Sequence, residues 1–270
     1  VLLEASPKLS YTIFRYQKGK HVMDEPGALP LRSPLLFTAG TREEILGEWD
    51  NGIETKGTNV WFQNEVTSIE GEKGAFTLKT SAGKTLTAEY VIMGIGVQGN
   101  LRKLGVPGQE AAFVQYQLDD PDEYEDETIV VVGAGDAAIE NAVALASQNS
   151  VIIVNRRDEF ARAKQGNLDL ITKCIDDGTL ECMFSTTPAR VEETEGSDKP
   201  GMFVLNTPDG EAEVPVNRII ARLGGVPPRR FIEAAGIQFP SEDPAAVPAV
   251  SPQYESNVPG LYIIGALAGY

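Results

Sequence analysis

Residues 128–162, TIVVVGAGDAAIENAVALASQNSVIIVNRRDEFAR, constrain the fold of this chain more than any other stretch. Thr128 to Val132 is a β-branched run of strand type. It ends in Gly133-Ala134-Gly135-Asp136-Ala137-Ala138, the G-x-G-x-x-A form of the turn that joins a strand to a helix beneath a dinucleotide. There Gly133 permits the tight reversal, Gly135 lets a pyrophosphate approach the backbone, and Ala138 lets the helix pack closely on the strand, with Asp136 and Ala137 between them. Ile139, Val143 and Ala146 continue an apolar helical face to Ser147, and Ser150 to Val154 supplies a second strand. A site for NAD places an acid at the end of that strand. This chain instead carries Asn155-Arg156-Arg157-Asp158-Glu159-Phe160-Ala161-Arg162. Two adjacent guanidiniums and a third five residues on suit a dianionic 2′-phosphate, because each fork donates bidentate, charge-assisted bonds. NADPH is therefore the expected ligand. The competing reading, a glycine turn before an ordinary buried helix with surface arginines, does not explain why strand, turn, helix, strand and arginines come in this order.

A chain of 270 residues holds one large domain or two medium ones. Its formal net charge of -16 excludes a non-specific nucleic-acid binder, since phosphate backbones would be repelled over most of the surface. Positive charge is concentrated at Arg156, Arg157, Arg162 and Lys164, a local anion site on an acidic body. Such a body also disfavours an acidic electron carrier unless a basic patch faces it. The run Asp119 to Glu127 reads as a solvated connector, with docking of a basic partner as the alternative. No stretch is long and apolar enough for a membrane span and no signal peptide is visible, so the cytoplasm is the expected location. Cys174 and Cys182 have neither C-x-x-C nor metal-ligand spacing, and are read as a helix-face and a strand residue. The single histidine, His21, cannot make a metal site and is expected in a solvated loop beside Lys18, Lys20 and Asp24.

Val1 to Ala5 reads as the end of a parallel strand finishing in Glu4. Either Glu4 is a surface acid, or the chain is a fragment cut inside a first nucleotide-binding half. Residues 6–40 are loop-rich, with prolines at 7, 26, 30 and 34. Thr41-Arg42-Glu43-Glu44 is a capping box that opens a helix through about Trp49. From Asn59 to Met93 the pattern is an antiparallel β-meander leading into a buried-type strand, Tyr90 to Met93, closed by Gly94-Ile95-Gly96. Leu104 to Glu110 is a punctuated turn suited to an interdomain crossing. Beyond Arg162, a helix over Leu168 to Asp177 is followed by strands at Leu180 to Phe184, Ala189 to Glu193, Met202 to Asn206 and Val214 to Leu223. Pro240 to Val250 is a loop, and Gly260 to Ala266 a buried strand.

Together these segments resemble the two-dinucleotide-binding-domain flavoproteins, in the thioredoxin reductase-like and ferredoxin-NADP reductase-like branch. The matching pieces are VLLEA at 1–5, VIMGIG at 91–96, LGVPGQE at 104–110, VVVGAGDAAIENA at 130–142, NRRDEFARA at 155–163 and VPGLYIIGA at 258–266. The resemblance implies an α/β fold: a Rossmann-like NADP-binding domain, residues 106–225, inserted into a split and incomplete FAD-binding domain, residues 1–105 and 226–270, that contains the meander. It further implies that Glu4 holds the FAD adenosine ribose, that Gly94 and Gly96 lie near the flavin nucleotide, and that Gly265 approaches the FAD chain. Gly133, Gly135 and Ala138 would take the NADPH pyrophosphate, and Arg156, Arg157 and Arg162 its 2′-phosphate, with Asp136, Ala137 and Asn155 beside them.

The departures from the family pattern are specific. Phe113 to Leu118 stands where thioredoxin reductases carry C-x-x-C, so disulfide reduction by that route is excluded. Ala161 shifts the third arginine by one residue, and Ala266 replaces the family's aspartate. The first G-x-G-x-x-G and the helix after the last glycine motif are not in the sequence. The expected function is an NADPH-dependent flavoprotein oxidoreductase that passes hydride to FAD and electrons to an external acceptor protein or domain, without a redox-active disulfide. No catalytic side chain is nominated, since the cofactors carry the chemistry. Pro107-Gly108 and Gly224-Gly225 are candidate hinges, and a homodimer is compatible with the family. The alternative is a non-catalytic NADP(H)-binding regulatory or sensor module.

Overall fold

In a computed structural model, which describes residues 1–23 and 38–269, the β-branched run forms the Thr128–Val132 strand at the centre of a five-stranded sheet. The spatial order is Glu181–Met183, Ser150–Val154, Thr128–Val132, Arg218–Ala221, Val114–Gln115, and every pairing is parallel. Parallel strands covered on both faces need continuous apolar runs, and Ile129 to Val132 are each 3% exposed or less. Their side chains divide by alternation. Ile129, Val131, Val151, Ile153 and Ile220 pack on one face against the Asp136–Leu145 and Gln165–Asp176 helices. Val130, Val132, Val154 and Ile219 pack on the other with Val191, Phe203 and Leu205 of an antiparallel three-stranded sheet, Thr187–Glu193, Gly201–Thr207 and Gly210–Val216.

The chain separates into two units. One comprises Arg15–Lys20 and Arg102–Gly224 and carries the sheet just described; the other comprises Val1–Phe14, His21–Leu101 and Gly225–Tyr270. In this second unit Leu2–Leu3 pairs in parallel with Val60–Trp61, and Val91–Met93 in parallel with Leu261–Ile263. The Val66–Glu70, Phe76–Thr80 and Thr85–Ala88 strands form the expected meander. Its core joins Ile69, Phe76, Leu78, Val91, Met93, Ile232, Leu261 and Ile263.

Several boundaries differ from the sequence reading, for physical reasons. Val60–Trp61 lies outside the meander because it serves as the parallel partner of Leu2–Leu3. The capping box at Thr41 is formed, but the helix continues over Arg42–Lys56 and stops at Gly57, whose φ of 59° ends it in the left-handed conformation. What reads as one strand from Val214 is two, Gly210–Val216 and Arg218–Ala221. Asn217 makes the corner: its amide N–H donates to the Thr128 carbonyl and its side-chain oxygen accepts the Thr128 N–H. The short Arg229–Ala234 helix follows Pro228 and carries the buried Ile232, and the sequence reading left it out. Ile92 is 67% exposed, so the Val91–Met93 strand is covered on one face only. His21 is exposed, in a two-residue strand against Gly40–Thr41. The prolines at 26, 30 and 34 and Asp24 lie outside the described residues. Among the described residues no helix is long and apolar enough to cross a membrane, and no group of three side chains is gathered for a metal.

Candidate functional site

The five parallel strands all end at the same edge, and their order reverses between Thr128–Val132 and Arg218–Ala221. A crevice at the carboxyl ends, at such a reversal, is where open α/β sheets bind nucleotides. Gly133 stands at this point with φ +139°, and a Cβ there would lie 2.5 Å from the Arg222 carbonyl oxygen and 3.2 Å from the Ala138 Cβ. Any side chain at 133 collides with the neighbouring strand's backbone, and any larger residue at 138 presses on the turn. Ala138 itself is fully buried. Gly135 is the N-cap of the Asp136–Leu145 helix, with no side-chain capping bond and open space where its Cβ would be. Helix N-terminal N–H groups left uncapped beside open space form a ready anion site. Ala137 is half-buried in the first turn.

Asn155 ends the second strand, 1% exposed. Its side chain faces its own loop, accepting the Arg157 N–H at 3.0 Å and donating to the Glu159 carbonyl at 2.9 Å. The Asn155 carbonyl accepts the Thr186 N–H and the Arg157 carbonyl the Ser185 N–H, so the loop backbone is pinned on both sides. Phe160 is buried against Phe184 with ring centroids 5.5 Å apart and anchors the loop from beneath. Arg156, Arg157 and Arg162 are exposed, and none makes an ion pair or side-chain hydrogen bond among the described residues. A rigid loop thus presents three uncommitted guanidiniums. Asp136 turns to the loop: its Oδ1 accepts the Lys164 N–H at 2.9 Å and the Asn167 side-chain amide at 2.7 Å.

In the other unit, Glu4 follows the Leu2–Leu3 strand, half-buried, with Oε1 accepting the Ser6 N–H at 2.7 Å. Parallel pairing of Val91–Met93 with Leu261–Ile263 brings Gly94 beside Ile264, whose side chain would meet a Cβ at 3.4 Å. Gly96 (φ +61°) and Gly265 (φ +69°) both face open space. Ala266 is exposed in the Gly265–Ala268 turn and brings no polar side chain.

Three features lie outside the sequence reading: the docking of Arg15–Lys20 on the acidic run, the Glu127–Arg218 pair and the buried Arg222. The Arg15–Lys20 segment docks on the acidic run that reads as a solvated connector: Arg15 pairs with Asp119 at 3.3 Å, and Lys18 with Asp120 at 3.2 Å. Lys20 reaches Glu140 at 2.7 Å, and Glu127, at the end of the run, pairs with Arg218 at 2.9 Å. Alternation of basic residues at 15, 18 and 20 against a distant acidic run was the available signal. The third feature is Arg222, the one charge in the run IIARL. Its Nη1 donates to the Tyr116 carbonyl at 2.9 Å while its Nε is buried without a hydrogen-bond partner. Burial holds this guanidinium below its ordinary value, with Glu140, Tyr16 and Asp119 pulling the other way.

A ferredoxin–NADP reductase of Ignicoccus hospitalis is 27% identical over 198 residues, covering 73% of this chain and 61% of the relative. The chain spans 60 to 61% of the length of that relative and of two further curated relatives. Two solved structures share the fold, each with 98% of this chain and 81% of theirs covered. One is a bacillithiol disulfide reductase from Staphylococcus aureus, with a TM-score of 0.88 at 18% identity; the other is a thioredoxin reductase from Lactococcus lactis, with a TM-score of 0.78 at 22%. The fold is therefore that of the thioredoxin reductase-like two-domain proteins. With the family model matching residues 34–265, the chain belongs to the pyridine nucleotide-disulphide oxidoreductase family.

Proposed function

We propose that this chain is part of an NADPH-dependent flavoprotein oxidoreductase, with the unit of Arg102–Gly224 and Arg15–Lys20 binding NADPH and the unit of Val1–Phe14, His21–Leu101 and Gly225–Tyr270 belonging to an FAD-binding domain. One observation carries the reading: a pinned loop holding three unpaired guanidiniums, next to an uncapped helix that starts at an obligatory glycine turn. The donor set fits a dinucleotide with a 2′-phosphate. Gly135 and the helix N-terminus would receive the pyrophosphate, Arg156, Arg157 and Arg162 the 2′-phosphate. On the FAD side, the free carboxylate oxygen of Glu4 fits a ribose, and the open space before Gly96 and Gly265 fits close approach of a nucleotide to the backbone. Bound NADPH and FAD would supply the hydride and electron chemistry; the chain's own residues bind and orient.

Electrons leave to an external acceptor in this reading, not to a dithiol of this chain. Burial raises the Cys174 thiol and pushes Cys182 up to about 12, so neither is a thiolate near neutral pH. The name of the Ignicoccus relative supports a ferredoxin-type carrier as acceptor. The test is the absorption spectrum of the purified protein and its bleaching by NADPH without oxygen. Flavin colour that bleaches supports the reading; a colourless protein that still binds NADPH overturns the flavoprotein half of it and favours a non-catalytic NADP(H)-binding module.

A further inference from the structure

We infer that Asp136 is a positioning residue for cofactor choice: it locks the arginine loop to the glycine turn instead of touching the dinucleotide. The inference rests on the NADPH reading above. A carboxylate one residue after Gly135 is an awkward neighbour for a polyanion, since like charges in a partly buried crevice repel strongly. Its hydrogen bonds account for it. One oxygen, Oδ1, accepts both the Lys164 backbone N–H at 2.9 Å and the Asn167 amide at 2.7 Å. Lys164 is the N-cap of the Gln165–Asp176 helix and lies two residues beyond Arg162. Asp136 thereby ties the first turn of the helix beneath the pyrophosphate site to the start of the helix that closes the arginine loop.

The loop is clamped at its other end by the buried Asn155, through bonds to Arg157 and Glu159. Between the two clamps stand Arg156, Arg157 and Arg162, with the Arg157 backbone bonded at both its N–H and its carbonyl and all three guanidiniums exposed. The same Asn167 amide reaches Glu140 Oε1 at 3.2 Å, one helical turn after Asp136, and Glu140 Oε2 pairs with Lys20. Both acids on this face of the helix are thus engaged by donors of the protein. The distance between the pyrophosphate site and the 2′-phosphate site is set through Asp136 and Asn167. Loosening that tie weakens the extra affinity for the 2′-phosphate and leaves the part of the dinucleotide common to NADH and NADPH untouched.

Because Oδ1 alone accepts both bonds, Asn at 136 keeps them and Ala does not. The experiment measures dissociation constants of NADPH and NADH for the full chain by fluorescence titration, in the unsubstituted protein, Asp136→Asn, Asp136→Ala and Asn167→Ala. Asp136→Ala and Asn167→Ala are expected to lower the NADPH-over-NADH preference by about fivefold or more, with NADH binding within about twofold, and Asp136→Asn to keep the preference. Equal weakening of both nucleotides, an unchanged preference in Asp136→Ala, or a loss in Asp136→Asn as large as in Asp136→Ala would each overturn the inference. Arg156→Ala and Arg157→Ala run alongside. If they leave the preference unchanged, the NADPH reading itself falls; if they lower it and Asp136→Ala does not, only the role of Asp136 falls.

Discussion

Among the described residues the two units share a plan and differ at the centre of their parallel strands. In each, a three-stranded antiparallel sheet leads into a short parallel strand that ends in a glycine-rich turn: Arg218–Ala221 before Gly224, and Val91–Met93 before Gly94. Each also has a parallel pair elsewhere, Ser150–Val154 with Glu181–Met183 and Leu2–Leu3 with Val60–Trp61. In the first unit Thr128–Val132 joins the two halves into a continuous sheet; among the described residues of the second unit no strand does so. The consequence is visible in burial. Val131 and Ile153 are fully buried, whereas Ile92 and Leu2, as apolar, are 67% and 44% exposed. Burial of a parallel strand is decided by its neighbours in the sheet and not by its own composition. The central strand also leads through the Gly133 turn into the uncapped Asp136–Leu145 helix, whereas in the other unit Gly96 and Gly265 face open space beyond the strand ends.

Substitutions at matched positions probe this contrast. The largest effect is expected for Ile153→Ala, a cavity beneath two helices, at about 2–5 kcal/mol of unfolding free energy, against less than about 0.5 kcal/mol for Ile92→Ala. Equal costs, measured by denaturant unfolding, would dissolve the contrast. Gly133→Ala comes next, at about 2–4 kcal/mol, because its Cβ must displace the Arg222 carbonyl at a backbone angle that favours glycine. Gly135→Ala separates folding from binding: its Cβ enters open space, so thermal stability stays near that of the parent while nucleotide affinity falls at least about tenfold. Loss of stability without loss of affinity would show that Gly135 serves packing. The smallest effect concerns the cysteines. Both thiols lie above their ordinary range, so at pH 8 a disulfide-exchange reagent should react slowly with the native protein and at once after unfolding. Fast native reaction of both would reopen a dithiol role.

Legibility in the sequence followed the range of the forces involved. The Thr128–Val132 and Ser150–Val154 strands, the capping box at Thr41 and the turn at Gly133 are set by residues within a few positions of one another, and the sequence alone shows them. The corner at Asn217 and the pairing of Val60–Trp61 depend on partners 89 and 58 residues away, respectively, and periodicity carries no record of them. Charge behaved likewise. The arginines are legible as a cluster of positive charge, but the hydrogen bonds that place Asp136 against Lys164 and Asn167, and the docking of Arg15–Lys20 on the acidic run, join segments far apart in the chain. The exposure of Ile92 was illegible for the same reason, since VIM at 91–93 is as apolar as VVV at 130–132.

The central claim, that the Gly133 turn and the arginine loop together hold a dinucleotide carrying a 2′-phosphate, is tested most directly by titrating the full chain with NADPH and NADH side by side at low and high salt. NADPH is expected to bind more tightly by about tenfold or more at low salt, with the gap narrowing as salt screens the exposed guanidiniums. Equal affinities at low salt would contradict it.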